Sequence, residues 1–226
     1  MRLMTFFRIF SLLFFSCLAG KLVAQAPPKA NPARVVILGD SITAGYGLDP
    51  ADAYPALLQK KIDAAGLAYT VVNAGVSGDT TSGGLRRVAW ALGPGADLLV
   101  IALGGNDGLR GIAPSETAKN LAGIIRTARE KHPDIKIVIA GMQMPANMGE
   151  TFTAEFRAVF PSIAESEKAA LVPFLLEGVG GVAALNQPDR IHPTAEGQKR
   201  VADNVWPVLE PLLKPSPSSA ATPQNP

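Results

Sequence analysis

Ser41 follows an apolar run and a glycine-aspartate pair, in Gly39-Asp40-Ser41-Ile42-Thr43-Ala44-Gly45-Tyr46-Gly47. A serine opening a helix offers an accessible hydroxyl, and the free amides there favour negative charge formed when it attacks. That hydroxyl is barely ionised near neutrality, so it needs a base, the base needs an orienting partner, and the oxyanion needs donors. Candidates for each part stand elsewhere in the chain. Asp189-Arg190-Ile191-His192-Pro193 sets an aspartate three residues before a histidine. A turn there puts the carboxylate against one ring nitrogen and leaves the other to take a proton. Gly104-Gly105-Asn106-Asp107-Gly108 offers an amide donor beside permissive glycines. Asn73-Ala74-Gly75-Val76-Ser77-Gly78-Asp79-Thr80 offers glycine N–H groups that a ligand can approach closely.

Each stretch has a plainer reading when taken alone. Ser41 serves as a helix N-cap, Gly78 as part of a tight turn, Asn106 as a left-handed turn residue, and Asp189 as an Asx turn. Neither G-x-S-x-G nor G-x-x-x-x-G-K-[ST] occurs. The other histidine, in Lys131-His132-Pro133, reads as a solvated helix cap. No grouping of His, Cys and carboxylates has metal-ligand spacing, and neither a metal nor a cofactor is expected.

The elements that must position these residues alternate along the chain. Strands are expected at Arg34–Gly39, Tyr69–Ala74, Asp97–Leu103, Lys136–Ala140 and Ala170–Phe174, all apolar runs without in/out alternation, as in a sheet covered on both faces. Helical spacing predicts helices at Asp52–Ala65 (Tyr54, Leu57, Leu58, Ile62 and Ala65 inward), Thr80–Leu92 and Pro114–Lys131 (Leu121, Ile124, Ile125 and Ala128 inward). Two more are expected at Phe152–Lys168, broken or kinked at Pro161, and Pro193–Leu213, with Val201, Val205, Leu209 and Leu212 inward and two prolines distorting its end. Five βα units in series imply an α/β fold with a parallel, doubly wound sheet. Ligands of such sheets bind beyond the carboxyl ends of the strands, where all the candidate residues fall.

Four of these stretches together resemble the blocks of the SGNH (GDSL-type) hydrolase superfamily: Gly39-Asp40-Ser41, Ser77-Gly78-Asp79-Thr80, Gly104-Gly105-Asn106-Asp107 and Asp189-x-x-His192. The runs Gly39 to Leu48, Tyr54-Pro55-Ala56-Leu57-Leu58 and Leu103 to Gly111 look most like its bacterial arylesterase, thioesterase I and lysophospholipase L1 group. The resemblance spans Arg34 to Leu213 with every block in order, and departs only at Ile42, where the name-giving motif has Leu. It implies a three-layer α/β/α sandwich with a five-stranded parallel sheet of flavodoxin-like order. It also implies that Ser41 is the nucleophile, His192 the base and Asp189 its orienter. The oxyanion hole would comprise the N–H groups of Ser41 and Gly78 and the side chain of Asn106.

By the same resemblance, the activity expected is hydrolysis of short-to-medium acyl esters, with thioesters or lysophospholipids as related substrates. Asp40, Asp107, Leu109 and Met144 are expected to contact the small-molecule acyl ester. Ile112, Met142, Pro145 and Met148 lie in the same loops, where flexible methionines suit a variable apolar guest. Carbohydrate deacetylation on the same fold would need a more polar cleft; a non-catalytic envelope binding module would have no need of the catalytic side chains.

Composition narrows the partners and the compartment. Residues 1–26 carry Arg2, Arg8 and Lys21 and no acid around an apolar run too short to span a bilayer, as in a secretory signal peptide. Removing those three cations from the 21 Lys and Arg leaves 18 against 19 Asp and Glu, so no basic surplus remains for nucleic acid. Residues 27–33 read as a linker, 34–214 as the hydrolase domain, and the uncharged Pro/Ser stretch 215–226 as a disordered tail. Cys17, the only cysteine, permits no internal disulfide; it offers an alternative lipidation site. A periplasmic or secreted protein is expected, with cleavage after Ala24 or Ala26, an envelope lipoprotein being the alternative. Near-neutral charge permits association without setting an oligomeric state.

Overall fold

The computed structural model describes residues 32–214; the expected leader, Cys17, most of the linker and the tail lie outside the described residues. Five parallel strands form one sheet: β1 (Ala33–Gly39), β2 (Tyr69–Gly75), β3 (Leu98–Ala102), β4 (Lys136–Ala140) and β5 (Ala170–Val172), in the order β2-β1-β3-β4-β5. β1 pairs on one side with β2, Val36 opposite Val72, and on the other with β3, Val36 opposite Leu99. Val35 to Leu38 and Leu98 to Ile101 are buried, which is why neither run alternates.

The helices are α1 (Ser41–Ala44), α2 (Tyr54–Ala64), α3 (Thr81–Leu92), α4 (Gly105–Leu109), α5 (Pro114–Lys131), α6 (Glu150–Ser166) and α7 (Ala195–Leu213). α3, α5 and α6 pack in a row, while α2 and α7 pack against each other, so the sheet carries a helical layer on each face. The resulting core runs through Ile37, Leu38, Tyr54, Leu58, Phe156 and Phe160. Among the described residues, no helix is long and apolar enough to cross a membrane.

Several expected boundaries shift for local reasons. β1 begins at Ala33, which pairs with Tyr69. α2 starts at Tyr54 because Pro50–Asp52 forms a separate 3-10 turn capped by Asp49; Ala65 caps the other end and is exposed rather than inward. β5 ends at Val172, since Pro173 has no N–H for the ladder, and Leu175 N–H turns back to the Gly141 carbonyl at 2.9 Å. α6 runs through Pro161 without a break: the ring is exposed, so water can reach the Arg157 carbonyl it leaves unpaired. α7 likewise continues through Pro207 and Pro211, and the i+4 row Val201, Val205, Leu209 ends on buried Leu213, with Leu212 only partly covered. His132 does cap α5, but its Nε2 is buried without a hydrogen-bond partner rather than solvated.

Candidate active site

The order of strands reverses at β1, whose outgoing chain crosses to β2 on one side while β3 lies on the other. The crevice beyond the β1 and β3 ends is where such a sheet binds ligands, and Ser41 and Asn106 follow these two strands directly.

Ser41 is the first residue of α1, a single turn entered straight from β1. The Asp40 carboxylate caps it, Oδ1 accepting the Ile42 N–H at 3.0 Å. Only a glycine fits at position 39, because a Cβ there would lie 1.9 Å from Thr43 Oγ1. The turn is held from behind as well. Gln198 of α7 donates to the Ile42 carbonyl at 2.9 Å and accepts the Tyr54 N–H at 2.9 Å, and Thr43 Oγ1 lies 2.8 Å from the Tyr54 hydroxyl. A serine on so short a turn gets its precision from these contacts, not from the turn itself.

The loop before α7 brings the other two side chains. His192 Nε2 lies 2.8 Å from Ser41 Oγ, across 151 residues, and His192 Nδ1 lies 2.7 Å from Asp189 Oδ2. Asp189 Oδ1 accepts the N–H groups of Ile191 and His192 at 2.9 and 3.0 Å. The His192 amide, the imidazole and the Ile191 amide hold the Asp189 carboxyl down at about 2, so it stays ionised throughout the neutral range. The Tyr46 ring stands 4.5 Å from the imidazole, centroid to centroid.

Asn106 sits in α4 and is not the left-handed turn residue of its plainer reading; the positive φ falls on Gly104, at φ 120. A side chain at 104 would strike Phe160 at 2.9 Å. Asn106 Nδ2 donates to the Asp79 carbonyl at 2.9 Å and, at a longer 3.4 Å, to Asp40 Oδ2. The short bond fixes the amide plane; the long one leaves the second N–H weakly held. Gly78 lies in the exposed turn between β2 and α3, its carbonyl bonded by Arg110 Nη2 at 2.9 Å.

Two expected substrate contacts are corrected. Asp107 is fully buried, and its carboxylate accepts the Thr81 N–H at 2.9 Å and the Thr81 hydroxyl, tying α4 to α3. Asp40 is 2% exposed and directs both oxygens into the protein. Burial, resisted by the Ile42 N–H and the His192 charge, raises the Asp40 carboxyl to about 6. Leu109 and Met144, by contrast, line a cavity of about 340 Å³ together with Met142, Pro145, Phe174 and Leu176. Ile42, Gly105 and Ile191, the chain neighbours of Ser41, Asn106 and His192, complete its near wall. Ile112 and Met148 stay outside it.

Other residues of the site carry no local sequence signal. Arg87 of α3 bonds the Asp79 carboxylate at 2.7 Å, the Ala74 carbonyl at 2.8 Å and the Gly39 carbonyl at 2.9 Å, joining the ends of β1 and β2 to the Gly78 turn. Its role, like those of Gln198 and Phe174, depends on contacts between distant segments. Among the described residues, no cluster of His, Cys and carboxylates is arranged to hold a metal.

The chain matches the GDSL-like Lipase/Acylhydrolase family over residues 37–200. It is 46% identical over 204 residues to Esterase TesA of Pseudomonas aeruginosa, an alignment covering 90% of this chain and 99% of that protein. It is 36% identical over 180 residues to Thioesterase 1/protease 1/lysophospholipase L1 of Escherichia coli K12, covering 79% and 84%. The crystal structure of TesA superposes with a TM-score of 0.76 at 47% identity, covering 79% of this chain and 99% of that one.

Proposed function

Because the chain belongs to the GDSL-like lipase/acylhydrolase family and is therefore an SGNH-type ester hydrolase, we propose that Ser41, His192 and Asp189 are its catalytic residues and that an acyl-Ser41 ester is its intermediate. The observation that carries this reading is the unbroken contact from Ser41 Oγ through the imidazole to Asp189, at 2.8 and 2.7 Å, beside an apolar cavity.

The ionised Asp189 accepts the Nδ1–H of His192, which selects the tautomer whose Nε2 can accept a proton. Ser41 Oγ attacks the ester carbonyl as its proton passes to Nε2. The resulting oxyanion is held by the N–H groups of Ser41 and Gly78 and by the weakly held N–H of Asn106. Collapse breaks the bond to the alcohol, which leaves with the proton from Nε2. Water then attacks the acyl-serine by the same route, its proton going to His192 and on to Ser41, and the acid departs.

The cavity suits a short-to-medium acyl chain. Its walls are mostly aliphatic, methionine and phenylalanine side chains, which favour an acyl guest over a sugar. Arylesters are the substrates proposed first, with thioesters and lysophospholipids as relatives on the leaving-group side. The basic-then-apolar start of the sequence supports action in the periplasm or outside the cell. Hydrolysis of p-nitrophenyl esters from acetate to dodecanoate tests the assignment. Wild-type protein is expected to peak at an intermediate length and Ser41→Ala to lose turnover at every length; a Ser41→Ala protein with wild-type turnover overturns it.

A further inference from the structure

Resting on the serine-esterase reading, we propose that Arg190 is a specificity residue that favours esters carrying a carboxylate or phosphate, by pairing with that group at the rim of the acyl cavity. Arg190 is the only charged residue in the cavity lining. It stands between two members of the site, with Asp189 on one side in sequence and Ile191 and His192 on the other. Its side chain makes no ion pair with any acid among the described residues, whereas the nearby Asp189 is committed to His192 and the Asp79 of the opposite loop to Arg87. A guanidinium at the edge of an apolar cavity thus keeps its full set of donors for a guest.

Arg190 adopts φ 61, one of two non-glycine residues with positive φ among those described. The turn itself is required: Arg190 N–H bonds the Gln187 carbonyl at 2.8 Å, and the chain must reverse there for Asp189 Oδ1 to reach the amides of Ile191 and His192. Nothing in that backbone role calls for a side chain, and glycine would adopt the angle without strain. The strained position therefore carries an exposed arginine at the lining of the cavity, which points to binding rather than to folding.

The same anion can arrive from either end of the substrate: as a carboxylate at the far end of the acyl chain, or as a phosphate on the leaving alcohol. Two substrate pairs separate these sources. The first compares mono-p-nitrophenyl adipate with p-nitrophenyl hexanoate, and the second compares lysophosphatidic acid with the monoacylglycerol of the same chain. A solvent-edged ion pair alters a ratio of kcat/KM by about fivefold. Wild-type protein is expected to favour the anionic member of at least one pair. Arg190→Gln and Arg190→Gly should lower that preference about fivefold, through KM more than kcat because ground and transition states share the contact. Arg190→Lys should retain part of it, and raised salt should erode the wild-type preference alone. Equal anionic-to-neutral ratios in wild type and Arg190→Gln, for both pairs, overturn the role of Arg190 while leaving the esterase standing. Failure of the wild type to hydrolyse even p-nitrophenyl hexanoate overturns both.

Discussion

Asp40 Oδ2 lies 3.4 Å from Asn106 Nδ2, joining the residue before the nucleophile to the amide that faces it across 66 positions of chain. The carboxylate is almost fully buried, and its Oδ1 already caps α1. It thereby links the segments that follow β1 and β3.

Asp40 makes stability and turnover pull in opposite directions. Its carboxyl is raised from 3.8 to about 6 in the folded protein, so the native state binds the proton more tightly. The contribution to stability is full below about pH 4 and is lost as pH rises through 6, a change of about 3 kcal/mol. Asp40→Asn keeps the bond from Ile42 N–H but sets one amide NH2 against another at Asn106. Urea unfolding should find the variant more stable than wild type at pH 8, with the gain shrinking toward pH 4, while kcat falls about tenfold. Equal stabilities at both pH values contradict the buried, ionised carboxylate.

Asp189→Asn tests the tautomer. The new amide oxygen can still accept the N–H groups of Ile191 and His192, so the turn survives. Its NH2 then faces His192 Nδ1, which must accept instead of donate, leaving Nε2 protonated and unable to take the Ser41 proton. A loss of kcat of about 10⁴ with an unchanged melting curve is expected. A loss below tenfold would mean that His192 is oriented by other contacts.

Asn106→Ala removes one oxyanion donor and leaves Ser41 and His192 in place. Turnover should fall about 10²- to 10³-fold with KM changed much less, because the donor matters most when charge develops. Pre-steady-state acylation is the measurement. If KM rises while kcat holds, Asn106 binds the ground state only.

Met144→Phe tests the cavity as the acyl site. Met144 already lies so close to Gly108 that a Cβ there would be 2.2 Å from its sulfur, so a stiffer ring has little room to retreat and must take volume from the cavity. The preferred acyl chain should shorten by roughly two to four methylenes, with acetate hydrolysis nearly unaffected. An unchanged profile over p-nitrophenyl esters places the acyl chain elsewhere.

Much of this was readable from the chain. Val35 to Leu38 and Leu98 to Ile101 lack alternation because both sheet faces are covered, and the alternation of such runs with helical patterns along the chain announces a parallel sheet. The row Leu121, Ile124, Ile125 and Ala128 located α5 to its final residues. A proline does not by itself fix where a helix ends. Pro161, Pro207 and Pro211 lie within continuous helices with their rings exposed, and exposure is a tertiary property that no local pattern encodes. Asp40 and Asp107 were misread for the same reason: an acid beside a serine or an asparagine looks like a substrate contact until burial shows which way it points.

Residue types, their order and their strand-end positions single out Ser41, Asn106, Asp189 and His192 as candidates, because each job in acyl transfer demands a particular functional group; Gly78 is added by the family resemblance. Whether those groups meet was decided only by the fold. The 2.8 Å contact between Ser41 and His192 depends on α7 reaching back to α1, with Gln198 and Tyr54 fixing that approach. The cavity likewise joins loops after β1, β3, β4 and β5. Short-range chemistry sets which side chains can react; long-range packing sets the distances and burial at which they do, since contacts between remote segments form only when the whole core closes.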